Sequence, residues 1–111
     1  MSRAQQVAKL SQISQLLLDS RLAALQGAAR ACRESEARLA GLSVPGALPG
    51  ALPEIAAMQA ALNYQRWADA RRGEINLVLA RQTAAMIEAR DAAREAFGRS
   101  EAMRALQHRA K

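Results

Sequence analysis

Residue types that carry catalytic or metal chemistry are scarce in this chain of 111 residues. It contains one cysteine, Cys32, and one histidine, His108. A single cysteine cannot form an internal disulfide, and zinc sites need several cysteine or histidine ligands. No glycine-rich phosphate loop with a Lys-Ser/Thr ending occurs. We therefore expect no catalytic residues, no metal or cofactor site and no small-molecule substrate, and we predict that the chain is not an enzyme.

Bulky apolar side chains are also few. The aromatic residues are limited to Tyr64, Trp67 and Phe97, and alanine supplies much of the hydrophobic half of the chain. Alanine favours helices but buries little area, and this composition is typical of long helices and coiled coils. The leucine run 16–18 is far shorter than the about 20 apolar residues that cross a bilayer, and the N-terminus lacks a signal-type apolar core. A cytoplasmic location is the expectation.

Proline is confined to nine residues, 45–53. Because proline breaks helix interiors, this stretch divides the chain into two breaker-free arms, 2–41 and 53–110, joined by a loop of residues 42–52. Long helices joined by a short loop pack antiparallel. The sequence thus predicts one all-α domain, a two-helix antiparallel coiled-coil hairpin with a longer second helix.

The first arm shows a heptad column of apolar residues, and Cys32 occupies it as a small interface residue. The column comprises Leu18, Leu25, Cys32 and Leu39. Leu22 and Ala29 are predicted to form its companion, which gives the spacing of a coiled-coil seam. Upstream, Val7, Leu10 and Leu17 keep a similar spacing shifted by about one residue, as a stutter would produce.

The second arm shows two heptad columns. One reads Met58, Gln65, Arg72, Leu79, Met86, Ala93, Ser100 and Gln107. The companion reads Ala61, Ala68, Ile75, Gln82, Ala89, Ala96, Met103 and Ala110. Pro53 and Glu54 suit the first turn of this helix.

The arms differ in length, about 58 Å against about 86 Å at 1.5 Å per residue. Folding them about the loop sets Gly41, the predicted C-cap of the first helix, near Pro53 and sets Arg3 near Asp91. Residues from about Ala92 onward then have no intramolecular partner. Since a lone helix of this length is marginal in water, we expect this overhang to fray or to bind a partner, a homodimer included.

The number and distribution of charged residues also bear on which partners the chain could bind. The formal net charge is +6, and arginine supplies most of it. Both signs interleave along both arms, which is typical of a solvated helix surface and disfavours a nucleic-acid partner. Arginines recur every four to five residues along the end of the second arm. We predict a partner-binding surface there, formed by Arg90, Arg94, Phe97, Arg99, Met103 and Arg104.

Tyr64 and Trp67 lie three residues apart and therefore on one side of the second helix. Two interpretations stay open. In the first, the rings cover the hairpin tip by packing on its leucines, Leu39, Leu42, Leu48 or Leu52. In the second, they form an exposed binding patch, because Tyr, Trp and Arg are enriched in such patches. We predict partner binding by both residues.

The stretch Asn63-Tyr64-Gln65-Arg66-Trp67, followed by an uninterrupted helix rich in Arg, Gln and Ala, resembles the flagellar FliJ and type III secretion YscO proteins. The resemblance implies a non-catalytic coiled-coil stalk or chaperone component of a flagellar or type III protein export apparatus. It implies a hexameric export ATPase, with the paired helix ends near its ring, and a membrane export gate protein, bound through Trp67 and Tyr64. It also implies a cytoplasmic protein, peripheral at the inner membrane through a protein partner. The alternative is a self-associating coiled-coil scaffold or adaptor.

Overall fold

The computed structural model describes residues 2–42 and 53–110. Helix α1 spans Arg3–Leu42 and helix α2 spans Glu54–Arg109, and the described ranges contain no strand. The prediction of an all-α, antiparallel two-helix hairpin with a longer second helix is confirmed. The predicted loop, apart from Leu42, lies outside the described residues.

The helices pack into two compact units, each built from a segment of α1 and a segment of α2. The terminal unit comprises Met1–Arg30 and Thr83–Lys111, and the central unit comprises Ala31–Gln82. The sequence of the terminal unit has ten Lys or Arg and five Asp or Glu, and that of the central unit has six and five. The formal net charge is thus +5 in the terminal unit and +1 in the central unit, so one unit holds most of the basic excess.

The start of α1 is a capping box that we did not predict, although the pattern Ser-x-x-Gln is its known signature. The Gln5 backbone N–H donates to Ser2 Oγ at 3.2 Å, and the Ser2 backbone N–H donates to Gln5 Oε1 at 3.0 Å. At the other end of α1, the predicted C-cap at Gly41 is wrong. The helix continues through Gly41 to Leu42, and Gly41 lacks the positive φ of a glycine cap.

The heptad columns of α2 are confirmed over residues 68–107, where every predicted member is buried or half-buried. The predicted members outside this range are exposed: Met58, Ala61, Gln65 and Ala110. Ala68 is therefore the first predicted column member that is buried. The first 14 residues of α2, 54–67, precede it.

In α1, the predicted column is confirmed, but its companion is not. Leu18 and Cys32 are buried and Leu25 and Leu39 are half-buried. Leu22 is exposed, and although Ala29 is half-buried, the observed companion column consists of Val7, Ser14, Ala28, Ser35 and Leu42, a seven-residue repeat whose remaining position, Arg21, is exposed. Because this column continues unshifted from Val7, the predicted stutter is wrong. Hydrophobicity misplaced the column since two of its members are serines.

One serine–glutamine hydrogen bond joins the two helices in each unit. In the central unit, Ser35 Oγ donates to Gln82 Oε1 at 2.5 Å. In the terminal unit, Ser100 Oγ donates to Gln15 Oε1 at 3.3 Å. Both serines are buried. These two bonds give the register of α1 against α2 in their respective units.

The predicted register, with Gly41 near Pro53 and Arg3 near Asp91, is wrong. In the observed register, α1 is displaced along α2 from the predicted position by 23 residues at Ser35–Gln82 and by 21 residues at Ser100–Gln15, which is about three heptads. A shift by whole heptads keeps the same columns in contact, so periodicity alone cannot distinguish the two registers. The observed register gives polar residues of the seam polar partners, and an unpaired buried polar group would be costly.

The predicted overhang from about Ala92 onward is also wrong. Ala93, Ala96 and Ser100 are buried in the terminal unit, and Ser100 is hydrogen-bonded to α1. The last part of α2 is therefore paired. At the opposite end of α2, the predicted column members Met58, Ala61 and Gln65 are exposed, and Ala56, Ala57 and Ala60 are half-buried.

Candidate functional site

The aromatic pair, Tyr64 and Trp67, lies on α2 in the central unit. The ring centroids are 5.8 Å apart and the rings are tilted by 43°. Trp67 is 56% exposed, and Tyr64 is exposed as well. Trp67 also borders a shallow depression, together with Ala70 and the ion pair of Arg71 and Glu74, whose N–O distance is 3.0 Å. The pair thus presents aromatic surface next to charged groups.

The tip-packing interpretation of the aromatic pair has no support among the described contacts. The buried cluster at the end of α1 comprises Leu42, Ala68 and Ile75, with Leu39 packed against it. Trp67 is not a member of this cluster and keeps more than half of its surface exposed. The predicted contacts with Leu48 and Leu52 lie outside the described residues.

Arg72, which follows Trp67 by five residues, joins the end of α1 to α2. Its Nη2 donates to the Leu42 carbonyl at 3.1 Å, and its Nη1 contacts Asp69 Oδ1 at 2.6 Å. The last turn of α1 contains no basic residue of its own. The guanidinium of α2 therefore supplies the cation that a helix C-terminus favours. Arg72 belongs to a predicted heptad column of α2, but nothing in the sequence indicates this contact.

A second surface, the arginine–phenylalanine stripe, follows α2 in the terminal unit. Its positions recur at spacings of three and four, which places them on one helix face. They are Ile87, Arg90, Arg94, Phe97, Glu101, Arg104 and His108. All seven side chains are exposed, with Phe97 at 55%. Four of the predicted partner-binding residues thus share one face.

Charge on the stripe is only partly neutralised. Arg104 and Glu101 form an ion pair with an N–O distance of 3.5 Å. Arg90 and Arg94, one turn apart, have no ion pair with any residue that the structure describes. Like charges at this spacing destabilise a helix by about 0.2–0.5 kcal/mol. An anionic partner would relieve that repulsion.

The two remaining predicted residues lie off the stripe. Arg99 is exposed, and its guanidinium is 4.0 Å from Glu95. Met103 is half-buried in the confirmed heptad column of α2. Met103 therefore contributes to packing between the helices, while Arg99 lies on another side of α2.

The described residues include no cluster of three or more histidine, cysteine or acidic side chains suited to a metal ion. Cys32 is buried, and His108 is exposed in the last turn of α2. Neither described helix has an apolar stretch of the length that a membrane span needs.

Comparison of the chain with family models, curated proteins and solved structures finds no match. The resemblance to the FliJ and YscO proteins therefore stays a prediction.

Proposed function

We propose that this chain is a non-catalytic coiled-coil stalk or chaperone component of a flagellar or type III protein export apparatus. The observation that carries the proposal is the terminal unit, which pairs the first part of α1 with the last part of α2 and has a formal net charge of +5. In the family that the sequence resembles, paired helix ends stand near the ring of a hexameric ATPase. A paired, basic end suits contact with an acidic ring interior.

The arginine–phenylalanine stripe supports a protein partner for this end. Arg90 and Arg94 present guanidinium groups that are free to bind carboxylates in the bidentate geometry that arginine favours. Phe97 adds an exposed apolar anchor three residues further along the same face. Arginine and aromatic side chains dominate the energetics of protein interfaces. We expect an acidic partner surface with an apolar recess.

The aromatic pair supports a second contact, in the central unit. Tyr64 and Trp67 are exposed and close to Arg71, a combination enriched in binding hot spots. By the resemblance, this patch binds the membrane export gate protein. The chain would then act in the cytoplasm and reach the inner membrane only through that protein.

The ATPase contact is tested with the purified chain and the hexameric export ATPase of the same organism. We expect the proteins to co-elute and ATP hydrolysis to increase. The double variant Arg90→Glu/Arg94→Glu should weaken binding at least about tenfold, because it replaces attraction by repulsion. The matched control, Arg66→Glu/Arg81→Glu, changes exposed arginines of the central unit and should leave binding nearly unchanged. Absence of co-elution and of stimulation, with motility intact after gene deletion, would refute the proposal.

The gate contact is tested with Trp67→Ala, and Phe97→Ala serves as the matched control. The two rings are almost equally exposed, so both variants should keep their helicity. We expect Trp67→Ala to weaken binding to the gate protein and Phe97→Ala to weaken binding to the ATPase. A large loss of melting temperature in Trp67→Ala alone would assign the indole to packing at the hairpin tip instead.

The alternative, a scaffold in which the overhangs of two chains pair, loses its structural basis. The residues that would face the second chain, Ala93 and Ala96, are buried in the terminal unit. Stable pairing through this surface would require α1 to leave it.

A further inference from the structure

A groove between α1 and α2 in the central unit lies next to the aromatic pair but is not part of the contact proposed for it. We call it the central groove. An arginine from each helix borders it, Arg38 of α1 and Arg71 of α2. Its other lining residues are Ser35, Glu74, Ile75 and Val78. Arg71 and Glu74 also border the depression beside Trp67, so the central groove and this depression adjoin each other.

The floor of the central groove is apolar. Ile75 is buried there, and Val78 keeps 43% of its surface exposed. The hydroxyl proton of Ser35 is already used, because Ser35 Oγ donates to Gln82 Oε1. A ligand that enters the groove therefore meets aliphatic surface at Val78, and removal of this surface from water favours an apolar side chain.

The two arginines of the central groove differ in their ion pairing. Arg71 is paired with Glu74 at an N–O distance of 3.0 Å. Arg38 is exposed and has no ion pair with any residue that the structure describes, although Glu34 lies one turn before it on α1. One positive charge of the groove is thus uncompensated. A guanidinium binds a carboxylate through two parallel hydrogen bonds, so a carboxylate is the group that Arg38 suits best.

We propose that the central groove binds a segment of a partner protein that places a carboxylate on Arg38 and an apolar side chain on Val78. The segment continues over the adjoining depression to Trp67, which lies about 16 Å from Val78 along α2. An apolar centre with a charged rim is the usual composition of a protein interface. A nucleic acid would instead need several cations for its phosphates, and the central unit has a formal net charge of only +1.

This inference deepens the contact proposed for the aromatic pair and rests on the proposed function for one point, the identity of the partner as the export gate protein. It adds α1 to that contact through Arg38. Trp67 alone would favour apolar or aromatic partners whatever their charge. The central groove adds the requirement for an acidic residue close to the apolar anchor, and so it gives the contact its specificity.

Selection from a library of random peptides displayed on phage tests the groove without any assumed partner. The selection uses the full chain with Arg90→Glu/Arg94→Glu, so that the arginine–phenylalanine stripe does not retain acidic peptides. We expect the enriched peptides to share an acidic residue close to an apolar one. Fluorescence anisotropy of the synthetic peptides then gives their dissociation constants for the parent chain and its variants.

Arg38→Glu should weaken peptide binding at least about tenfold, because it replaces attraction by repulsion. Arg33→Glu is the matched control, since Arg33 is an exposed arginine of α1 in the same unit that does not line the groove, and it should leave binding nearly unchanged. Val78→Ala should weaken binding about threefold, because less aliphatic surface is buried. Far-ultraviolet circular dichroism checks that each variant keeps its helices.

A charge exchange identifies the contact directly. Replacing the acidic residue of the peptide by arginine should weaken binding to the parent chain and strengthen binding to Arg38→Glu. Enrichment of no peptide, or of peptides without an acidic residue, would overturn the proposal. So would equal losses in Arg38→Glu and Arg33→Glu, which would reflect net charge alone. Sedimentation that reveals a dimer lost in Arg38→Glu would assign the groove to a second copy of the chain and would also overturn it.

The same variants separate this inference from the proposed function. If the selected peptides bind through Arg38 but the gate protein does not bind the chain, the central groove stands and the gate contact fails. If the gate protein binds through Trp67, and Arg38→Glu changes neither its binding nor that of the peptides, the gate contact stands and the central groove is overturned.

Discussion

The terminal and central units are built from the same two helices, yet different forces stabilise them. The central unit buries Leu42 and Ile75 in one cluster. Among the described residues, the terminal unit buries one large apolar side chain, Leu18, and its buried residues on α2 are small: Ala93, Ala96 and Ser100. Burial of large apolar side chains therefore contributes more to the stability of the central unit. The terminal unit depends instead on the close approach of two helices with short side chains.

The serine–glutamine hydrogen bonds of the two units also differ, in the extent to which they are buried. In the central unit, the Ser35 side chain is almost completely buried, and Gln82 is half-buried. In the terminal unit, Gln15 is exposed, and its Nε2 also donates to Asp19 Oδ1 at 3.2 Å. Water can replace the partner of Gln15 but has little access to Ser35. Equivalent substitutions in the two units should therefore lower the free energy of unfolding by unequal amounts.

The largest difference between the units is expected from Ile75→Ala. Removing a buried isoleucine side chain costs about 2–4 kcal/mol of unfolding free energy through lost burial and the remaining cavity. The exposed Ile87 of the terminal unit is the matched position, and Ile87→Ala should change stability by less than about 0.5 kcal/mol. Urea unfolding followed by circular dichroism measures both. Similar losses in the two variants would contradict the contrast between the units.

The serine substitutions compare the two hydrogen bonds directly. Ser35→Ala should cost about 1–3 kcal/mol, because Gln82 loses its partner in a partly dry environment. Ser100→Ala should cost only about 0.5–1 kcal/mol, since Gln15 can bind water. The double variant Ser35→Ala/Gln82→Leu should recover part of the loss, because no polar group then lacks a partner. Equal costs for both serines would show that burial does not distinguish the bonds.

Arg72→Met tests the contact that ends α1 in the central unit. The variant keeps much of the apolar stem but removes the cation at the Leu42 carbonyl and should cost about 1 kcal/mol. Arg66→Met, an exposed arginine with no ion pair among the described residues, is the control and should be nearly neutral. Hydrogen exchange of the last turn of α1 should become faster only in Arg72→Met.

Much of the fold follows from the sequence, and the errors have physical causes. Helix-breaking prolines and heptad spacing predicted two helices and the columns of α2 over residues 68–107. Hydrophobicity failed where a small polar residue occupies the interface, as Ser35 does, while Leu22 is exposed. The register failed because a shift by whole heptads preserves the periodicity, and the choice depends on pairings such as Ser35 with Gln82.

Which of the predicted binding residues are exposed also could not be determined without the register of the helices. Spacing placed Arg90, Arg94 and Phe97 along one helix, but which α2 residues remain accessible depends on the register. Met103 lies in the seam because α1 covers the last part of α2. The exposure of Trp67 likewise depends on where α1 ends along α2, at Arg72. Neither result could be obtained from periodicity alone.

The smallest effects come from glycines inside α2, and they test whether the two units unfold together. Apart from its chain neighbours and the backbone of its own helix, a Cβ added at Gly73 or at Gly98 would meet no described atom within 4 Å, so alanine fits at both positions. Each substitution should add about 0.5–1 kcal/mol to the unfolding free energy by reducing the entropy of the unfolded chain. If the units unfold as one cooperative system, both variants shift a single transition by similar amounts, and the double variant adds them. If the units unfold separately, Gly73→Ala stabilises only the transition of the central unit and Gly98→Ala only that of the terminal unit. Because α1 and α2 each run without interruption through both units, we expect one transition, and two resolved transitions would contradict that expectation.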